Sequence, residues 1–245
     1  MPLKEPRFKL YMKTNSLHTH FIYWILPSLI TLGCMLVFFY DPFGWSTIIV
    51  SKQNREFGVL EHLQSFIILI MFFYAIRGIR NKKNVVEKTI FILAALVSLF
   101  MLFEEIDYGL HYYEWMKGIE SKPPEEQLRN VHNNGNITDI IKTTTNIFIA
   151  VFLIALPIIN YFTKKKYPLV TYFSPTPYIL TTLFCLFLLS QYAFYLYRQD
   201  FHTNRAIDGN ISEFEEFMIY YAFMLYLKEM TSKDKRIPEA LIKTN

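Results

Sequence analysis

The chain has 245 residues, 52% of them hydrophobic and 18% aromatic, with a formal net charge of +4. Its apolar residues come in blocks of about 20, the length that crosses a bilayer as a helix, and no polar segment is left that is long enough for a separate water-soluble domain. Nucleic acid is excluded as a partner, because no basic groove with interleaved stacking aromatics is present.

Backbone groups in lipid must be satisfied within their own segment, so the apolar blocks predict helices and not strands. They fall at about 21–40, 58–79, 89–112, 140–162, 178–197 and 213–228. The expected fold is therefore one domain over 1–245, an all-α integral membrane protein built as a six-helix transmembrane bundle. The first block follows Lys4, Arg7, Lys9 and Lys13, as a signal peptide would. It is too long for a signal-peptide core, and Asp41, Pro42, Phe43, Gly44 and Trp45 follow it where a cleavage site would stand. That pattern predicts an interfacial turn with an aromatic anchor. Cys34 and Cys185 both sit inside apolar blocks and make neither a disulfide framework nor a metal-ligand spacing.

Orientation follows from the basic residues. The amino-terminal segment, the loop after the second block (Arg80, Lys82, Lys83, Lys88), the loop after the fourth (Lys164, Lys165, Lys166) and the carboxyl tail (Lys228, Lys233, Lys235, Arg236, Lys243) hold most of the 25 Lys and Arg residues. Short basic loops stay in the cytoplasm, which predicts both termini cytoplasmic and a bacterial inner-membrane location. Threaded that way, polar side chains from five helices gather at one outward-facing depth. The second helix starts there with Glu61, His62 and Gln64. The third runs without a Gly/Pro loop from Phe100 through Glu104, Glu105 and Asp107 to His111. A long loop follows with Asn130, His132 and Asn136, and the fourth helix starts there with Asp139, Thr143 and Asn146. The fifth ends there with Gln191, Tyr195 and Arg198, and the sixth starts with Glu213, Glu215 and Glu216. The cytoplasmic halves look almost purely apolar.

Ionisable groups at membrane depth are costly and mark function by default. Glu104 and Glu105 lie about 100° apart around a helix. Glu104 shares a face with Tyr108 and His111, so it is the expected inward residue, with Glu105 turned to a neighbouring helix or the interface. Ser212 and Glu215 have the spacing of a capping box, while Glu213, Glu216 and Tyr220 share one face. The expected catalytic set is Glu104, Glu61 and His111. Arg198, Tyr108 and Asn136 are the expected substrate contacts. Glu104, His132 and Glu216 are an oxygen-and-imidazole set that suits a divalent metal such as Zn, or Mn or Fe. No HExxH, GxSxG or phosphate-cradling glycine loop accompanies them.

Three stretches carry a resemblance. Val59 to Gln64 (Val-Leu-Glu-His-Leu-Gln), Glu104 to His111 (Glu-Glu-Ile-Asp-Tyr-Gly-Leu-His) and Asn130 to Asp139 resemble, in this order, the motifs of a widespread family of bacterial polytopic membrane proteins of uncharacterised function. That family has an acid at the head of its second span, a Glu-Glu-Ile-Ser-Trp-Gly-Gln-Arg-like motif and an Asn-rich loop after it. Here Asp107, Tyr108, Leu110 and His111 replace the motif's Ser, Trp, Gln and Arg, and Thr138 stands for a histidine of the loop. The resemblance covers roughly 56–162 and implies a polytopic membrane protein without implying a reaction.

Two functions compete on these residues. One is a membrane-embedded hydrolase or transferase acting on a lipid or lipid-linked substrate, with a buried carboxylate as general base. The other is a non-catalytic subunit or binding protein that docks a membrane protein partner or a ligand on its outer face. A proton-coupled carrier fits less well, since no inverted repeat is visible.

Overall fold

The computed structural model describes residues 16–41, 43–50, 58–118, 135–163, 167–199 and 210–233. Among the described residues every regular element is helical. In chain order these are α1 (Leu17–Tyr40), a short α2 (Ser46–Ile49), α3 (Val59–Asn81), α4 (Val85–Glu105), α5 (Leu110–Lys117), α6 with its membrane-length part at Asp139–Phe162, α7 (Pro168–Phe173), α8 (Pro177–Arg198) and α9 (Glu213–Ser232). Five of them, α1, α3, α4, α6 and α8, are long and apolar enough to cross a membrane. Large apolar side chains such as Leu29, Phe66, Leu93, Leu96 and Phe187 are exposed along these helices, a surface that suits lipid and would be a liability in water.

The helix that misses that group, α9, is the centre of the molecule. Phe214, Phe217, Met218, Tyr221, Ala222, Leu225, Tyr226 and Met230 are all buried over a broad face of it, while Glu215 is exposed. A helix so largely enclosed by protein has little lipid-facing stripe to keep apolar, so it can carry Glu213, Glu215, Glu216, Lys228 and Glu229. Around it α3 and α4 form the closest pair, where Gly78 lets Phe91 in: a Cβ on Gly78 would stand 2.3 Å from the Phe91 ring. The opposite flank is held through proline chemistry. Pro27 in α1 has no N–H for the carbonyl four residues before it, and α1 widens to a π-helical turn at Phe21–Ile25. Thr182 of α8 donates its hydroxyl to the Tyr23 carbonyl, and Tyr221 of α9 donates to the Ile22 carbonyl at 2.6 Å. A sequence feature that costs helix bonds thereby supplies the bonds between helices.

Two differences from the sequence reading matter. The third span does not run on to 112. It ends at Glu105, and Asp107 (φ 47), Tyr108 (φ 53) and Gly109 (φ 85) turn the chain in the left-handed region before α5 begins. The end of α4 away from the outer acids is not apolar either: Glu87 is 2% exposed, Lys82 is buried, and Glu229 of α9 is buried at the same end. Glu229 accepts from the Tyr23 hydroxyl at 2.6 Å, the Thr176 N–H at 2.7 Å and the Thr176 hydroxyl at 2.5 Å. It is a structural acid that fastens α9 to α1 and to the start of α8.

Candidate functional site: a carboxylate cluster at one end of the bundle

At the other end, three helices bring their acids together. α3 begins at Gly58 and places Glu61 and Gln64 on its inner face, 3% and 0% exposed. α4 ends by bringing Glu105, 8% exposed, up to α9. α9 starts with Glu213, Glu216 and Tyr220 on one face, spaced for one side of a helix. The Tyr220 hydroxyl donates to Glu105 Oε1 at 2.8 Å. Gln64 Nε2 donates to the Glu213 carbonyl at 3.1 Å and to Glu213 Oε2 at 3.0 Å. Glu61, Glu105, Glu213 and Glu216 lie within electrostatic reach of one another. The Lys142 ammonium, on the exposed face of α6, acts on Glu216 from the rim.

Close approach fixes Glu61. Its carboxylate lies over Gly58, where a Cβ would be 2.2 Å from Glu61 Oε2, 2.5 Å from the Ile49 carbonyl oxygen and 2.9 Å from Val50 Cα. The Glu61 carboxylate reaches back to the backbone N–H groups of Gly58 and Glu61 at the start of its own helix, and Gln64 Oε1 has no hydrogen-bond partner among the described residues.

The roles assigned from sequence are redistributed by this geometry. Glu105 is turned to a neighbouring helix as expected, but that helix is α9, and the contact lies inside the acid cluster. Glu104 is buried too, 3% exposed, and takes its bond from the hydroxyl of Tyr108, four residues on in the left-handed bend. That bond holds the exposed Tyr108 phenol above its usual range, because ionising it would lose the donor to a carboxylate. The extension of one helical face from Glu104 through Tyr108 to His111 fails, since the helix breaks between them. Tyr108 is half exposed and stacks on Phe103 at 6.2 Å. Ser212 does not act as a side-chain N-cap; its backbone is already helical (φ −61, ψ −23), being the end of a 3-10 turn. Arg198 is not at the cluster but lines a separate groove of about 500 Å³ with Gln191, Phe194, Tyr195 and Gln199. His132 lies outside the described residues, as do the side chains of His111 and Asn136. Among the described residues no three or more His, Cys, Asp or Glu stand together as metal ligands do.

Sequence reasoning gave Lys142 no place in the site, and it named Gln64 and Glu105 among the gathered polar residues without assigning them a role. Only the position of Gln64, one turn after Glu61, gave a signal. No family model, no curated protein and no solved structure matches the chain.

Proposed function

We propose that the chain crosses the membrane six times, with α9 as the sixth span and both termini cytoplasmic, in the inner membrane of a bacterium. The acid cluster then faces the outer leaflet, as the general acid–base site of a hydrolase or transferase that acts on a lipid-linked substrate. The observation that carries this reading is the pair of bonds, Tyr220 to Glu105 and Gln64 to Glu213, that tie acids from α3, α4 and α9 into one buried group. Several carboxylates in one low-dielectric place repel unless a proton or a cation is shared among them. A shared proton is what an acid–base catalyst hands to a leaving group and takes from a nucleophile.

In this reading Glu105, held in place by Tyr220, is the acid–base residue, in place of Glu104. Glu61 and Glu216 share its proton. Lys142 takes over from Arg198 as the cation that holds an anionic part of the substrate. His111, at the start of α5, and Asn136, at the start of α6, stay in the proposal as proton partner and substrate contact. The resemblance to the uncharacterised polytopic family belongs to the same proposal, and its motifs run through Glu61 and Glu105.

The test is turnover in proteoliposomes. Purified protein is incubated with a bacterial membrane-lipid extract, and products are followed by lipid mass spectrometry. Product formation is expected to fall by at least about 100-fold in Glu105→Gln, the scale of a lost general acid–base group. Products that persist unchanged in Glu105→Gln and Glu216→Gln would remove the acid–base role.

A further inference from the structure

Arg198 has no part in the acid cluster or in the reaction proposed there, yet it does not stand alone. α8 begins beside Glu229, which accepts from the Thr176 N–H at 2.7 Å. Its last turns therefore lie at the other end of the bundle, where α9 starts. There Gln191, Phe194, Tyr195, Arg198 and Gln199 line the groove of about 500 Å³. Gln191, Arg198 and Gln199 are exposed, and among the described residues none of their side chains has a hydrogen-bond or ion-pair partner. The groove offers donors that the described protein does not use.

The groove opens on the lipid-facing side of α8. Phe184, Phe187, Leu188 and Tyr192 are exposed along that helix. At about 100° per residue they share a face with Gln191, Tyr195 and Arg198, while Leu186, Ser190 and Ala193 are buried on the opposite face. α8 is long and apolar enough to cross a membrane, so its exposed stripe meets acyl chains and the groove lies where the stripe reaches the headgroups. Tyr192 and Tyr195, whose rings stack at 6.4 Å, mark that depth as interfacial aromatic residues do. Helical side chains lean toward the amino end of their helix, which carries Arg198 back along the stripe. Gln191 lies two turns before Arg198, about 10 Å along the axis, on the acyl side of it.

Chemistry selects the headgroup. Among the described lining residues Arg198 is the one cation, and none is an acid. A guanidinium matches phosphate oxygens with paired N–H donors. Gln191, Tyr195 and Gln199 supply uncharged donors and acceptors, which suit ester carbonyls and hydroxyls. A primary ammonium finds no carboxylate in this set. A choline group can lie over a tyrosine ring, but it would put a second positive charge beside Arg198. What fits is a headgroup whose phosphate is its only charge and whose outer part carries hydroxyls.

We propose that the groove at the end of α8 binds an anionic phospholipid of the phosphatidylglycerol type. Its phosphate lies on Arg198, its headgroup hydroxyls at Gln199, its ester carbonyls at the Gln191 amide and an acyl chain along the stripe from Tyr192 to Phe184. This site is separate from the acid cluster and does not rest on turnover there.

Native mass spectrometry of the full-length protein tests it, with phosphatidylglycerol, phosphatidylethanolamine and phosphatidylcholine of identical acyl chains as competing probes. Retention of the glycerol lipid is expected to exceed that of either other lipid by about fivefold, which corresponds to about 1 kcal/mol. Arg198→Ala, at an exposed position, is expected to bring both ratios close to one. Lys117→Ala removes an equal charge from an exposed position on α5 and is expected to leave the ratios as they are. Equal retention of the three lipids by the unaltered protein overturns the proposal, and so does a preference that survives Arg198→Ala. A preference lost as fully in Lys117→Ala shows attraction to net charge and overturns the groove as its source. Soluble glycerol phosphate has no acyl chain to lay on the stripe and is expected not to displace the lipid; displacement overturns the lipid as the occupant.

Discussion

Glu229 and Glu61 are both buried acids near the ends of helices, and their surroundings are opposite. Glu229 receives three hydrogen bonds from Tyr23 and Thr176, whereas Glu61 meets only the backbone N–H groups of Gly58 and Glu61 at the start of its own helix. The first acid joins elements far apart in the chain, the second reaches only the start of its own helix. Substitution separates them. Glu229→Gln replaces a charged acceptor of three hydrogen bonds by a neutral amide with one acceptor oxygen, forcing the Tyr23 and Thr176 hydroxyls to rearrange, and should destabilise the protein by about 1–3 kcal/mol. Glu61→Gln removes a charge that lies among other carboxylates, and should leave stability unchanged or slightly higher. Thermal unfolding of the two variants in the same detergent checks this; equal losses would mean that Glu61 is structural as well. Sequence alone could not make the distinction. Both acids read as costly charges in apolar surroundings, and only the fold brings Tyr23, about 200 residues away in the chain, to one of them.

At the scale of elements, glycines mark where helices touch. Gly78 of α3 has the Phe91 ring 2.3 Å from where its Cβ would be, while Gly33 of α1 has nothing within 4 Å. Gly78→Ala should therefore cost about 1–3 kcal/mol by overpacking the α3–α4 contact. Gly33→Ala should be neutral or stabilising by up to about 1 kcal/mol, through helix propensity. Chemical denaturation in mixed micelles measures both, and a neutral Gly78→Ala would show that α3 and α4 are not pressed together as described. The positions of most spans were legible because runs such as Val85–Glu105 are nearly uniformly apolar. The end of that helix was not. Nothing between Phe103 and Tyr108 breaks a helix by composition, and the two left-handed residues there, Asp107 and Tyr108, are not glycine. The one written signal was Gly109 (φ 85), which comes after the break it completes. Because the helix stops at Glu105, that residue can turn to α9, and the periodicity that favoured Glu104 no longer applies.

For the whole molecule, the arrangement inverts the usual relation between hydropathy and depth. The helix with the most charge, α9, packs against α1, α3 and α8, while α4 and α6 keep their charges near their ends around long apolar middles. A hydropathy scan sees lipid contact, so it found the periphery and scored the centre poorly; the gathering of acids at one end was legible only once the helices were threaded by their basic loops. That threading makes a prediction for the intact membrane. In a variant whose Cys34 and Cys185 are replaced by serine, a cysteine at exposed Trp115 should react with an impermeant maleimide from outside, and one at exposed Lys83 only after permeabilisation. The reverse pattern would put the acid cluster on the cytoplasmic side and end the outer-leaflet proposal. One peripheral helix has a further consequence. Only 11% of the apolar stretch of α6 is buried; its contacts include Phe148 with Phe223 and Tyr226 of α9, Phe152 with Phe173 of α7, and Asn160 with Thr171 of α7. Lys142 lies six residues before Phe148, a lever arm of about 9 Å at 1.5 Å per residue. A tilt of about 10° about Phe148 carries the root of Lys142 by roughly 1.5 Å on such an arm. The Lys142 cation is thus carried by a thinly buried helix, while the acids it acts on belong to helices packed against one another.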